Sequence, residues 1–224
     1  MGIYEEEFTV RYSEVDRNNE LTPISIMQYF QEIGCLHSDQ VKMGLNQHAA
    51  WVIIQWKVKI LSKANWNDKI TVKTWPSGIQ GTYCMRDYEM YKGEELIAIG
   101  TSKWVLTDTE THKLIKVTED VVERFKPVDK QVFNEPIVKL KPCDNYTYKL
   151  VHNVTLKDID TNQHVNNIKY IELAYDMLPE DTNYIEVMYK HSSVYGEELV
   201  CYYNNYEVTI KNGDKLSAIV KFKE

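Results

Sequence analysis

The sequence predicts an α+β protein made of one unit written twice, each copy a curved antiparallel sheet wrapped around a central helix. Three observations lead there. Sliding the chain by 144 places lays residues 15–21 (VDRNNEL) on residues 159–165 (IDTNQHV), so that aliphatic, Asp, Asn and aliphatic positions coincide. Both copies of this stretch lie between a strand-like run and an amphipathic helical pattern. Beyond each helix come alternating, aromatic-rich runs, and a one-sided helix and a one-sided sheet must bury their apolar faces against each other.

The elements follow in order. Residues 4–12 read as a strand, and the shift of 144 carries them onto residues 148–156. Thr22 can cap the first helix and Pro23 suits its first turn, after which Ile26, Phe30, Ile33 and His37 share a face to about Lys42. Strands are then expected at residues 70–75, 82–91 and 96–107, with a turn at Lys92 and Gly93. In the second copy Asn166 is a candidate cap, and Ile168, Ile171, Tyr175 and Leu178 form a stripe that Pro179 ends. Residues 199–210 and 216–222 read as strands flanking Asn212-Gly213, a dipeptide that suits a type I′ hairpin.

A second alignment, at a shift of 129, lays residues 63–68 on residues 192–197, so the second copy is shorter by 15 residues between helix and following strand. Residues 126–144 carry Pro127, Pro136 and Pro142 with little alternation. The division expected is residues 1–130, a linker over 131–144, and residues 145–224.

Composition excludes several classes. A net charge of −7 argues against nucleic acid as a partner, because such binding rests on many Lys and Arg contacts to phosphate. No run approaches the roughly 18 apolar residues of a membrane span. The acidic opening, residues 1–7, does not read as a leader, which points to the cytoplasm. Four spread cysteines, Cys35, Cys84, Cys143 and Cys201, fit reduced thiols better than a zinc site or a disulfide framework.

The run Asp160-Thr161-Asn162-Gln163-His164-Val165-Asn166-Asn167-Ile168-Lys169-Tyr170 resembles the D-x-N-x-H-V-N-N-x-x-Y motif of the acyl-acyl carrier protein thioesterases. Residues 12–44 are similar to that family's entry into its first helix, and residues 189–196 to a later strand ending in glycine. The resemblance implies a double hotdog fold and hydrolysis of acyl chains from carrier protein, with the chain in a tunnel beside a helix. It also implies catalytic roles for Asp160, Asn162 and His164. One departure stands out: the family's Y-x-x-E-C has Ser192 and Ser193 in place of Glu and Cys here, so neither role carries over.

Read from the residues alone, Asp160 and Asn162 have counterparts in Asp16 and Asn18, so they serve either chemistry or the entry to both helices. His164 has none, since Glu20 stands at the matching place, and such asymmetry is what one site on a duplicated scaffold leaves. A histidine can take a proton from water as general base, with Asp160 or Asn162 holding its tautomer. Backbone N–H groups of Asn166 and Asn167 at the helix start are candidates for the oxyanion, and Ser192 for positioning water. No metal or other cofactor is required by this chemistry.

The other histidines, His37, His48, His112 and His152, read as surface or core filler, and a Ser192–His191 pair is disfavoured because strand neighbours point to opposite faces. Gly34 leaves room either for close helix-to-sheet packing or for an acyl chain. Lys57 and Lys59, alternating with Trp56, Val58 and Ile60, form either a solvated strand face or a basic dock for acidic carrier protein. An acyl-CoA thioesterase and a non-catalytic acyl-binding protein are the competing functions. The oligomeric state stays open, a homodimer through paired sheet edges being one candidate.

Overall fold

The structure, a computed structural model, describes residues 2–41, 48–142, 145–176 and 182–223. Two units emerge, one of Met1–Ile54 with Val58–Pro136 and one of Gln55–Lys57 with Ile137–Glu224.

In the first unit, β1 (Tyr4–Thr9), β3 (Lys69–Gln80), β4 (Tyr83–Lys92), β5 (Glu95–Asp108) and β2 (Ala49–Ile60) are neighbours in that order. The second unit places β6 (Tyr148–Asn153), β8 (Glu198–Asn204), β9 (Glu207–Asn212), β10 (Lys215–Lys223) and β7 (Tyr184–Tyr189) in the same order. The paired strands whose registers are resolved run antiparallel in both units. The repeat read from residues 15–21 and 159–165 thus extends to the whole strand order. The expected run over residues 199–210 is two strands, separated by Asn205 at φ 49° and Tyr206.

The helix α1 (Pro23–Val41) starts as its sequence implies: the Thr22 hydroxyl accepts the Ser25 amide at 3.1 Å, closing an orphan donor ahead of Pro23. Its buried face carries Ile26, Phe30, Ile33 and His37, and burial of each aliphatic or aromatic side chain contributes about 2 kcal/mol. Lys42 and Gly44, and in the second copy Leu178, Pro179, Cys143 and Asp144, lie outside the described residues. The helix approaches the sheet closely at two glycines. A Cβ on Gly34 would sit 3.3 Å from the Tyr88 hydroxyl oxygen, and one on Gly100 would sit 2.8 Å from the Phe30 ring. Close packing is therefore what Gly34 provides.

Three features depart from the sequence expectations. A short helix, α2 (Glu119–Phe125), buries Val121 and Phe125 against Leu106 and Val117. Seven residues hold too little periodicity for this helix to be read beforehand. The hairpin joining β9 and β10 turns on Gly213 and Asp214, with only Gly213 at positive φ, so it is not the type I′ turn that needs both. Residues beyond α2 do not hang free: the Val128 amide donates to the Pro76 carbonyl at 2.9 Å and the Trp75 indole to the Lys130 carbonyl at 2.8 Å. Lys130 also pairs with the buried Glu89 at 2.7 Å.

Candidate active site

The site is built on the loop that enters α3 (Asn167–Tyr175). The Asp160 carboxylate accepts the Asn162 amide at 2.8 Å and the His164 amide at 3.4 Å, and the Asp160 amide donates to the His164 carbonyl at 2.8 Å. A left-handed Gln163, φ 64°, lets the chain reverse inside this ring of bonds. The first copy closes the same loop. There Asp16 accepts the amides of Asn18 and Glu20, both at 2.9 Å, and Asn19 has φ 64°. Asp160 and Asp16 are thus loop organisers in common, by the side-chain-to-amide geometry that Asp favours in turns.

The loop gathers Asp160, Asn162 and His164, as the motif implies. Asn162 is exposed, and its side-chain amide reaches the Asp160 carboxylate only at 3.5 Å. The His164 ring is half-buried and has no hydrogen-bond partner among the described residues. Asp160 therefore orients His164 through its backbone, where the sequence suggested a hold on the ring.

At the helix start, Asn166 caps α3 by accepting the Ile168 amide at 2.9 Å. Its own amide donates to the Asp158 carbonyl at 2.8 Å, which withdraws it from the expected oxyanion pair. The Asn167 amide has no acceptor among the described residues and faces the positive end of the helix dipole.

Ser192 is exposed, in a segment that is not strand: β7 ends at Tyr189. The argument from strand neighbours against a Ser192–His191 pair therefore lapses, although no bond joins the two. Ser193, fully buried, ties the segment to the loop. Its carbonyl accepts the Val165 amide at 2.8 Å and its amide donates to the Tyr170 hydroxyl at 3.1 Å. The first copy shows what this brings together. Lys63 and Glu20, at the places of Ser192 and His164, form an ion pair of 2.6 Å.

Sequence reasoning passed over several neighbours. Tyr189 donates to the Asn167 carbonyl at 2.9 Å, and burial pushes its phenol well above the ordinary range. His152, read as filler, lies 2.9 Å from the buried Asp158 carboxylate. Burial by itself would raise the Asp158 carboxyl, but bonds from Thr155, His152 and Lys169 hold it down at about 2. Lys169 falls at a variable position of the motif, so the sequence carried no signal for this cluster.

The lysines of β2 separate. Lys59 is exposed, whereas Lys57 is 3% exposed and cannot present its ammonium to a partner. The alternation breaks because Trp56, Lys57 and Val58 are all buried. Among the described residues, no group of three or more His, Cys, Asp or Glu side chains could hold a metal, and no helix is long and apolar enough to cross a membrane.

Comparison with known proteins adds lineage to this geometry. The acyl-ACP thioesterase N-terminal domain matches residues 2–125, and the C-terminal domain matches residues 141–222. The chain belongs to the acyl-ACP thioesterase family. It is 28% identical over 213 residues to oleoyl-acyl carrier protein thioesterase 1, chloroplastic, of Arabidopsis thaliana, a match covering 83% of this chain and 58% of that one. It therefore spans somewhat over half the length of the curated relatives it matches. Among solved structures, an acyl-ACP thioesterase from Bacteroides thetaiotaomicron superposes with a TM-score of 0.86 at 20% identity, covering 98% of this chain and 96% of that one. The 12:0-ACP thioesterase from Umbellularia californica gives 0.84 at 19%, covering 98% and 92%. The fold of the family, the double hotdog, is the fold of this chain.

Proposed function

We propose that this family member hydrolyses fatty acyl thioesters carried by acyl carrier protein and releases the free fatty acid. His164 takes a proton from water, Asp160 fixes the loop that carries it, and Asn162 shares that loop. The Asn167 amide is the donor available to an oxyanion. The observation that carries the reading is the repeat's asymmetry: two copies of one loop differ by a titratable imidazole at His164 against a paired Glu20. Incubation with a panel of acyl-carrier proteins, with released acids read by mass, tests it. Release from the wild type and none from His164→Ala supports the reading; no release from the wild type defeats it.

The exposed Ser192, standing where the family pattern has Glu, favours a second reading as a non-catalytic acyl-binding protein. The same assay decides between them, since a binder would retain the acyl-carrier proteins unhydrolysed. Hydrolysis of acyl-CoA at equal or greater kcat/KM would reassign the carrier.

Exposed Lys59 supports encounter with an acidic carrier protein. Among the described residues Cys35, Cys84 and Cys201 form no disulfide, which suits a reducing compartment such as the cytoplasm. Homodimer formation through a sheet edge is part of the proposal. β6 ends the strand order and exposes Tyr148 and Val151, and sedimentation of the intact protein measures it.

A further inference from the structure

Asp158 is 2% exposed and sits six residues before His164, outside the Asp160–His164 loop. Its carboxylate gathers four donors from three segments. The Thr155 amide lies at 2.7 Å and the Thr155 hydroxyl at 2.9 Å, closing the short 3-10 turn Leu156–Asp158. His152 Nε2 approaches from β6 at 2.9 Å and Lys169 Nζ from α3 at 3.2 Å, with Lys169 also held by Glu172 at 3.0 Å. The backbone of Asp158 then acts on the site: its carbonyl fixes the Asn166 amide, next to the open Asn167 amide and two residues beyond His164.

The first copy is an internal control. Its Glu14 carbonyl accepts the Thr22 amide at 3.0 Å, matching Asp158 and Asn166. Among the described residues the carboxylate of Glu14, however, takes the Arg11 amide at 2.7 Å, the Tyr29 hydroxyl and a loose 3.9 Å contact with the Arg11 guanidinium. Phe8 and Ser25 stand where the second copy has His152 and Lys169. Both copies tie the turn to a helix, the first through the Tyr29 hydroxyl of α1, which also reaches the Thr9 carbonyl of β1 at 3.4 Å, but only the copy with His164 holds a buried carboxylate with a cation, Lys169, and an imidazole, His152. A buried carboxylate held by a cation fixes geometry more tightly than one held by uncharged donors, and a displacement of about 1 Å at a reacting group can cost on the order of 100-fold in rate.

We infer that Asp158, clamped by His152 and Lys169, is a positioning residue that sets the His164 loop and the Asn167 amide against each other. The inference rests on the proposed hydrolysis but is tested apart from it. Two readouts are taken on the full chain: kcat and KM for an acyl-carrier protein, and the NMR signals of the His164 ring and Asn167 amide without substrate. Asp158→Asn is expected to lower kcat about tenfold or more with KM within about twofold, and to shift both NMR signals. Glu14→Gln, the matched change in the first copy, is expected to leave both signals and kcat unchanged. Lys169→Gln should reproduce the loss and Lys169→Arg restore it, which keeps the test intact if Asp158→Asn fails to fold. Unmoved His164 and Asn167 signals in Lys169→Gln, or equal kcat losses in Asp158→Asn and Glu14→Gln, overturn the inference. An inactive wild type with shifted signals defeats the hydrolase reading alone.

Discussion

Lys63 and Glu20 pair at 2.6 Å in the first copy, and their counterparts in the second copy are Ser192 and His164. The two copies fill these matching positions differently. One holds a closed ion pair; the other holds a half-buried imidazole and an exposed hydroxyl. The loops beneath them are alike, and that likeness separates architecture from chemistry.

Because Asp16 and Asp160 accept equivalent backbone amides, replacing either by Ala should cost similar stability, about 1 kcal/mol each. Denaturant titration measures this. Activity should part them: Asp160→Ala loses hydrolysis at least tenfold, and Asp16→Ala keeps it within about twofold. Equal retention of activity would leave Asp160 with the loop role alone.

The glycines of the first unit make opposite predictions. A Cβ at Gly100 meets the buried Phe30 ring at 2.8 Å, so Gly100→Ala should destabilise by roughly 1–3 kcal/mol through overpacking. At Gly34 the contact is the end of Tyr88, at 3.3 Å, and Ala gains about 1 kcal/mol in helix propensity. Gly34→Ala should therefore lie near neutral. A thermal melt of both variants checks the ranking.

His37 predicts acid sensitivity above the carboxylate range. Its Nδ1 accepts from Arg86 at 2.9 Å, and burial first, then the Arg86 charge, push its pKa down to about 3 from 6.5. The unfolded state then binds the proton more readily than the folded one as pH falls below 6.5. Stability is full above that value and declines on acidification, by about 2 kcal/mol between pH 6.5 and 5. Asp158, held near 2, adds its own loss only below about pH 4, so the windows are separate. Urea midpoints at pH 7 and pH 5 should differ for the wild type and nearly coincide for His37→Gln, which keeps an acceptor for Arg86 without a titrating ring.

How far the sequence carried can be judged from these residues. The duplication, the caps at Thr22 and Asn166 and the buried stripe of α1 were legible, because they depend on local chemistry and on period. The loop motif was legible too, down to the His164 asymmetry. The Asn166–Asp158 bond, the Ser193 tie and the His152–Asp158–Lys169 clamp were not, since each joins segments whose approach only the folded chain sets. Lys57 misled because alternation implies one wet face, whereas three consecutive residues of β2 are buried.

That burial divides the two lysines. Lys59→Glu should raise KM for acyl-carrier protein about threefold or more at low salt, less at high salt, and leave a small thioester unaffected. Lys57→Glu should instead lower the melting temperature, because it reverses the sign of a buried charge. If Lys59→Glu changes neither substrate, its charge is merely solvated.

His164 and Ser192 give the sharpest prediction about chemistry. Ser192 is exposed and has no base bonded to it among the described residues, so it is a weak nucleophile, and covalent catalysis through it is disfavoured. At most it positions water by one neutral hydrogen bond, worth about 1.4 kcal/mol, or tenfold in rate. Ser192→Ala should therefore cost tenfold or less, while His164→Ala should cost on the order of 100-fold or more as the proposed general base is lost. Intact mass of the enzyme quenched during turnover completes the test: an acyl adduct on Ser192, with a thousandfold loss in Ser192→Ala, would replace water by serine as the nucleophile.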